Sequence, residues 1–212
     1  PYSWGTTSGL VVDLPASRDT SGRGDLGVSL TVNLVGAPSM TPAEFQALRA
    51  APHPILGASL KVVAPTGHYD EDRLVNVGAN RWAIKGELGY ILPLRPKWLL
   101  EIEGGAWLLG DDDDFLVGTR EQDPILGLEL HLVHRFKPGF WAALDVNYVV
   151  GGRQTIGGQR LEDVQRNSRI GATVVVPVRR RYAFKAGYSR GVLTEFGSDF
   201  QQVLVTWQAL FQ

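Results

Sequence analysis

Ten charged residues occupy alternate positions within otherwise apolar segments: Lys61, Lys85, Glu87, Glu101, Glu103, Glu129, Arg135, Asp145, Arg169 and Lys185. Five are basic and five acidic, so the face they define is polar but nearly neutral. Such a face can line a narrow polar pore, or its charges can neutralise one another as a salt-bridged plug. The acids gather between Trp82 and Val150. Lys61, Arg169 and Lys185 flank them and can face them across a small interior, with Arg169 and Lys185 expected to pair with Glu101, Glu103 and Glu129. Asp111-Asp112-Asp113-Asp114 is a run of hard oxygen ligands. It lacks the Gly and Glu spacing of a known calcium loop, so it reads as a solvated charge run or as a bridge to lipopolysaccharide through divalent cations. His68, Asp70, Glu71 and Asp72 place an imidazole among carboxylates in one connection. No nucleophile is fixed beside them by spacing, so an enzyme using His68 is a remote alternative. The pairs Gly151-Gly152 and Gly157-Gly158 flank no strand-to-helix junction and read as turns, not as a phosphate loop. With no Cys there is no thiolate chemistry, and neither a metal site nor a cofactor is assigned.

The elements that must position these charges are strands. Leu26, Val28, Leu30, Val32 and Leu34 interleave with small polar residues, a period of two. The pattern recurs from Leu56, Trp82, Trp98, Leu126, Phe140, Ile170, Tyr182 and Val203, with a weaker first strand at Leu10-Val12-Leu14. That makes ten. Several run for roughly 11–13 residues, longer than the roughly 5–6 of globular strands and enough for a tilted membrane span of about 9–11. The apolar face carries no Asp, Glu, Lys or Arg; His134 is its most polar member. Alternation alone leaves both a soluble sandwich and a lipid-facing barrel open. The connections alternate: Arg95–Lys97, Lys137–Gly139 and Arg179–Arg181 are tight, whereas 66–81, 109–123 and 151–165 are long. Short turns at one end and long loops at the other fit an outer-membrane barrel with periplasmic turns. Aromatics sort accordingly. Trp98, Phe136, Phe140, Tyr182 and Phe211 fall at the short-turn ends, and Trp82, Tyr148 and Tyr188 at the long-loop ends, as two aromatic belts would.

Composition agrees. In 212 residues, 44% are hydrophobic and 20% charged, and the net charge is −1. The balance excludes a basic nucleic-acid binder and a disordered chain. The uncharged stretch 26–43 contains Pro38 and Pro42 and alternates, so it is no spanning helix. From Pro1 onward no basic n-region and apolar h-region are visible, and the chain reads as a mature form or a fragment. One helix is expected near 41–50: Thr41 as N-cap, Pro42 at the first position, Glu44 closing a capping box, and Phe45 and Leu48 on one face. It lies at the short-turn end, under the barrel mouth.

Several motifs resemble a bacterial outer-membrane family. They are Gly36-Ala37-Pro38 with Thr41-Pro42-Ala43-Glu44-Phe45, then Pro65-Thr66-Gly67-His68-Tyr69-Asp70, and Asn76-Val77-Gly78-Ala79-Asn80-Arg81-Trp82. Gln122-Asp123-Pro124, Gly151-Gly152, Asn167-Ser168-Arg169-Ile170-Gly171 and Trp207-Gln208 follow in order. The family is named for the meta-cleavage (MetA-type) pathway of phenol degradation and is commonly described as a transporter. The resemblance implies an outer-membrane β-barrel, a channel for small hydrophobic or aromatic compounds. Its members carry more sequence ahead of the first strand, so the resemblance leaves the count at ten, or at twelve with a further strand pair.

The expectation is therefore an all-β, antiparallel transmembrane barrel of ten or twelve strands in a single domain, in the bacterial outer membrane. Its partners are the lipid bilayer, lipopolysaccharide, the barrel-assembly machinery and a small solute, with no nucleic acid. About eight strands are filled by side chains and wide channels need about sixteen, so the lumen is narrow. The alternative is a sealed structural barrel that docks to a partner protein through its periplasmic helix. On intact cells, protease or label is expected to reach 110–123 and 151–165 and to spare Lys97 and Arg180; the opposite pattern inverts the topology.

Overall fold

The computed structural model describes residues 2–11, 14–116, 118–179, 181–197 and 199–209. In chain order the elements are β1 (Tyr2–Val11), β2 (Leu14–Arg23), β3 (Leu26–Val35), α1 (Pro42–Ala50), β4 (Ile55–Ala64), β5 (Ala83–Arg95), β6 (Trp98–Leu109), β7 (Asp112–Phe115) and β8 (Gly118–Gln122). There follow β9 (Ile125–Lys137), β10 (Phe140–Gly151), β11 (Gln154–Ile156), β12 (Gln159–Arg160), β13 (Gln165–Arg179), β14 (Tyr182–Thr194) and β15 (Gln201–Ala209).

Nine long strands form one sheet in the order β15-β14-β13-β10-β9-β6-β5-β4-β3. Every neighbour is antiparallel and, once β7, β8, β11 and β12 are set aside, sequential. Among the described residues β15 and β3 do not pair. These nine match nine of the ten strands read from the sequence. The tenth is corrected. Leu10 and Leu14 belong to different strands of a β1–β2 hairpin that forms its own sheet, with Val11 opposite Leu14. The apolar alternation there continues from one strand into the next, which period counting reads as one strand. Val12, Arg180, Phe211 and Gln212 lie outside the described residues.

Exposure decides which face is which. On β5, Ile84, Leu88 and Tyr90 point outward, and Leu88 is 57% exposed. Between them the Lys85 and Glu87 side chains are only 24% and 19% exposed. Leu144 on β10 and Val203 on β15 are exposed to 63% and 75%. A water-soluble sheet does the reverse. Leaving one Leu or Val in water forgoes about 1.5–3 kcal/mol, and this sheet repeats that exposure along nine strands. Such a face fits hydrocarbon, where each barrel strand turns its apolar side to lipid. The inner face buries Val133, Ala143 and Val175, brought together because Val133 pairs with Ala143, and Val175 with Trp141.

Short connections join β5 to β6, β9 to β10 and β13 to β14. Gly139 takes φ +77° in the second of these, a conformation other residues rarely adopt. At the other end the long connections are not merely loops. β7, β8, β11 and β12 build a four-stranded sheet of their own in the order β12-β11-β8-β7. α1 lies between β3 and β4, at the short-turn end. Thr41 Oγ1 accepts from the Glu44 N–H at 3.3 Å, and Glu44 Oε2 accepts from the Thr41 N–H at 2.7 Å. That exchange holds the exposed Glu44 carboxyl below the usual carboxylate range.

Leu144→Arg should block insertion of the folded protein into lipid, because Arg near the midplane of a barrel costs about 2–4 kcal/mol. Asp145→Asn, one residue on and inward, should insert normally. Heat-modifiable gel mobility in vesicles reads both; equal damage from the two contradicts the assignment of faces.

Candidate functional site

Side chains from β4 to β15 line a cavity of about 770 Å³, so the sheet curls around it. Near the short-turn end the walls are apolar: Ile55, Ile91, Pro93, Leu99, Val133 and Trp141. Phe45, Leu48 and Arg49 of α1 face the same space, with Arg135 beside them. Further in, Glu101, Glu103, Glu129, His131, Asp145 and Lys185 form a polar band.

Sheet register makes that band. Glu103 lies directly opposite Glu129, and Glu101 opposite His131, across β6 and β9. His131 is in turn opposite Asp145 on β10. His131 Nδ1 is 2.7 Å from Asp145 Oδ1, and Thr173 Oγ1 donates to Asp145 Oδ2 at 2.8 Å. The other ring nitrogen, Nε2, is 3.9 Å from Glu129 Oε2.

Lys85, Glu87, Lys61, Arg169 and Arg135 find partners on their own wall. Lys85 forms a close ion pair with Glu87, which also accepts from Ser59 Oγ at 3.4 Å. Lys61 stands opposite Lys85 in register, a repulsive placement; its ammonium lies 5.6 Å from the Trp107 ring centroid. Arg169 donates to Ser189 Oγ and to the Phe200 carbonyl at 3.2 and 3.0 Å, with its guanidinium 3.8 Å from the Phe200 ring centroid. Arg135 donates to the Pro96 carbonyl at 3.1 Å. The expected cross-lumen pairing of Arg169 and Lys185 with Glu101, Glu103 and Glu129 is therefore corrected: among the described residues no such ion pair forms. The cavity separates the walls, and Arg169 is already held by Ser189 and Phe200. His131, Trp107 and Thr173 were not singled out from the sequence, although His131 stands two residues from Glu129 on the same face and so shares its side.

Aromatic rings collect outside. At the short-turn end, Trp98, His134, Phe136 and Phe140 contact in series, with centroids 4.4, 4.6 and 4.5 Å apart. His134 thus sits between aromatic rings. Tyr182 and Phe184 both pack on Trp207, at 5.3 and 4.7 Å. Trp82, Tyr148 and Tyr188 stand exposed toward the long-loop end, where Tyr188 Oη donates to Gln201 at 3.0 Å.

The acidic run is not simply solvated. Asp112 is completely buried. It accepts from Tyr69 Oη and Asn80 Nδ2, each at 2.8 Å, and from Arg120 at 3.0 Å. Burial and that hydrogen bond push the Tyr69 phenol up to about 12. Burial, with Arg120 close by, brings Arg81 down to about 10, and Arg81 donates to Gln122. Asp112 therefore ties the 66–81 connection to the small sheet. His68 works through its backbone, donating to Arg23 O at 2.7 Å and accepting from Gly78 N–H at 2.8 Å. Asp70 pairs with Arg18 and Arg73. Among the described residues, no hydrogen bond or ion pair joins the His68 ring to the neighbouring acids.

A sequence model of the family described as "Putative MetA-pathway of phenol degradation" matches residues 2–197. The chain belongs to this family. Among solved structures, the fold matches the crystal structure of an outer membrane channel from Pseudomonas putida F1. The TM-score is 0.81 at 24% identity, over 99% of this chain and 74% of that one. No curated protein matches the chain. The outer-membrane placement read from the MetA-type motifs agrees with this fold, whose outward apolar face is the one described above.

Asp112→Ala removes one acceptor from three donors and leaves Arg120 without its counter-charge, a loss of about 3–5 kcal/mol if the pocket stays dry. Proteolysis within 110–123 should rise sharply while the long strands keep their heat-modifiable mobility. Unchanged proteolysis contradicts the role given to Asp112.

Proposed function

We propose that this protein is an outer-membrane channel that admits small hydrophobic or aromatic solutes through the cavity inside the sheet. The carrying observation is the cavity's composition: apolar walls at the short-turn end, edged by Arg49, His53 and Arg135, and a polar band further in, within about 770 Å³. That volume is in the range of small-ligand sites, about 300–1,000 Å³. Apolar walls desolvate a ring or short chain, while the band keeps water and a polar substituent in contact. Family membership and the fold shared with a channel support the same reading. In this reading the short turns and α1 face the periplasm, the small four-stranded sheet faces outward among lipopolysaccharide, the aromatic rings mark the two interfaces, and the barrel-assembly machinery inserts the protein.

The sealed-barrel alternative needs charges locked together across the interior. The wall-by-wall pairing of Lys85, Lys61 and Arg169 favours the open cavity instead.

Vesicle-swelling and planar-bilayer measurements on the refolded protein test the proposal. Permeation by small aromatic solutes exceeding that of sugars of similar size is expected; no permeation at all supports the sealed barrel. Arg169→Ala separates the two further. With no carboxylate partner to orphan, it should barely move the melting temperature; a steep fall would show that the interior is locked by ion pairs.

A further inference from the structure

We propose that Glu103, Glu129 and His131 form a binding site for a divalent transition-metal ion on the inner wall, in the zinc, cobalt and nickel class. It does not depend on which solute the channel admits. One ligand atom from each residue lies within 4.8 Å of the other two. Tetrahedral ligands with bonds of about 2.1 Å sit about 3.4 Å apart, so modest side-chain rotations close the set. The fourth position opens to the cavity, where water can fill it.

The imidazole distinguishes this site from a plain row of acids. Asp145 lies 2.7 Å from His131 Nδ1 and is itself fixed by Thr173 at 2.8 Å. A carboxylate there holds the proton on Nδ1 and leaves the Nε2 lone pair free, and metal-bound histidines commonly have this arrangement. Nε2 is the nitrogen turned toward Glu129, at 3.9 Å. Asp145 is thus a positioning residue and the other three are the ligands. Backbone register places them together: Glu103 and Glu129 are directly opposite, and His131 is two residues along β9. Two carboxylates face each other there, a repulsive pairing in a sheet. Among the described residues, neither is paired with a Lys or Arg. Calcium and magnesium prefer six or more oxygens or retained water, whereas imidazole with carboxylate suits the later first-row ions.

Cobalt(II) is the probe, because its visible absorption reports both binding and geometry. The full chain in detergent should develop a saturable band at one equivalent of cobalt, displaced by zinc. His131→Ala and Glu129→Gln should abolish it. Asp145→Asn should keep the band but weaken binding by about 10–100-fold. Glu87→Gln, on the same wall outside the trio, should leave it unchanged. Heat-modifiable mobility identifies any variant that fails to fold, and Glu103→Gln then serves in its place. No saturable band in the parent protein, or a band that persists in folded His131→Ala, overturns the assignment. Vesicle swelling without metal reports on the channel separately.

Discussion

The controlling constraint is that the long strands give their apolar side to lipid. Every other side chain must then be accommodated on the inner face or at the ends. A charge inward on one strand faces the cavity and takes what its own wall offers. Lys85 takes Glu87, Lys61 takes Trp107, and Arg169 takes Ser189 and Phe200. The band of Glu101, Glu103, Glu129, His131 and Asp145 faces the cavity for the same reason: alternation on β6, β9 and β10 sends these residues to one side, and register aligns them.

Much of this is legible in the sequence because a strand's side-chain period is two and does not depend on partners. Nine long strands, their tight turns and the capped helix at Thr41–Glu44 follow from local patterns. Which face is inside does not, since Leu88 and Glu87 alternate identically in a soluble sheet and in a barrel. Strand length, loop asymmetry and sorted aromatics supply the direction, and the exposure of Leu88, Leu144 and Val203 agrees with it. The β1–β2 hairpin is missed because apolar residues at Leu10 and Leu14 keep their period across a change of strand.

The outer sheet and the partners of the charges are less legible, for physical reasons. β7, β8, β11 and β12 have two to five residues each, too few for periodicity to emerge, and an aspartate run argues against a strand. Asp112 is held by Tyr69 and Asn80, eleven residues apart in the 66–81 connection, and by Arg120 on β8. No local spacing encodes such convergence. His131 could have been found by extending Glu129's face by two residues, but its link to Asp145 depends on β9–β10 register.

Alternate residues of the long strands meet lipid and the cavity in turn. The chain's lack of Cys makes single-cysteine spin labelling along β10 the most direct measurement. Labels at 143 to 147, in vesicles, should alternate: 144 and 146 more accessible to oxygen dissolved in lipid, and 143, 145 and 147 more accessible to a water-soluble nickel chelate or shielded from both. Reversed phases, or accessibility without a period of two, would contradict it.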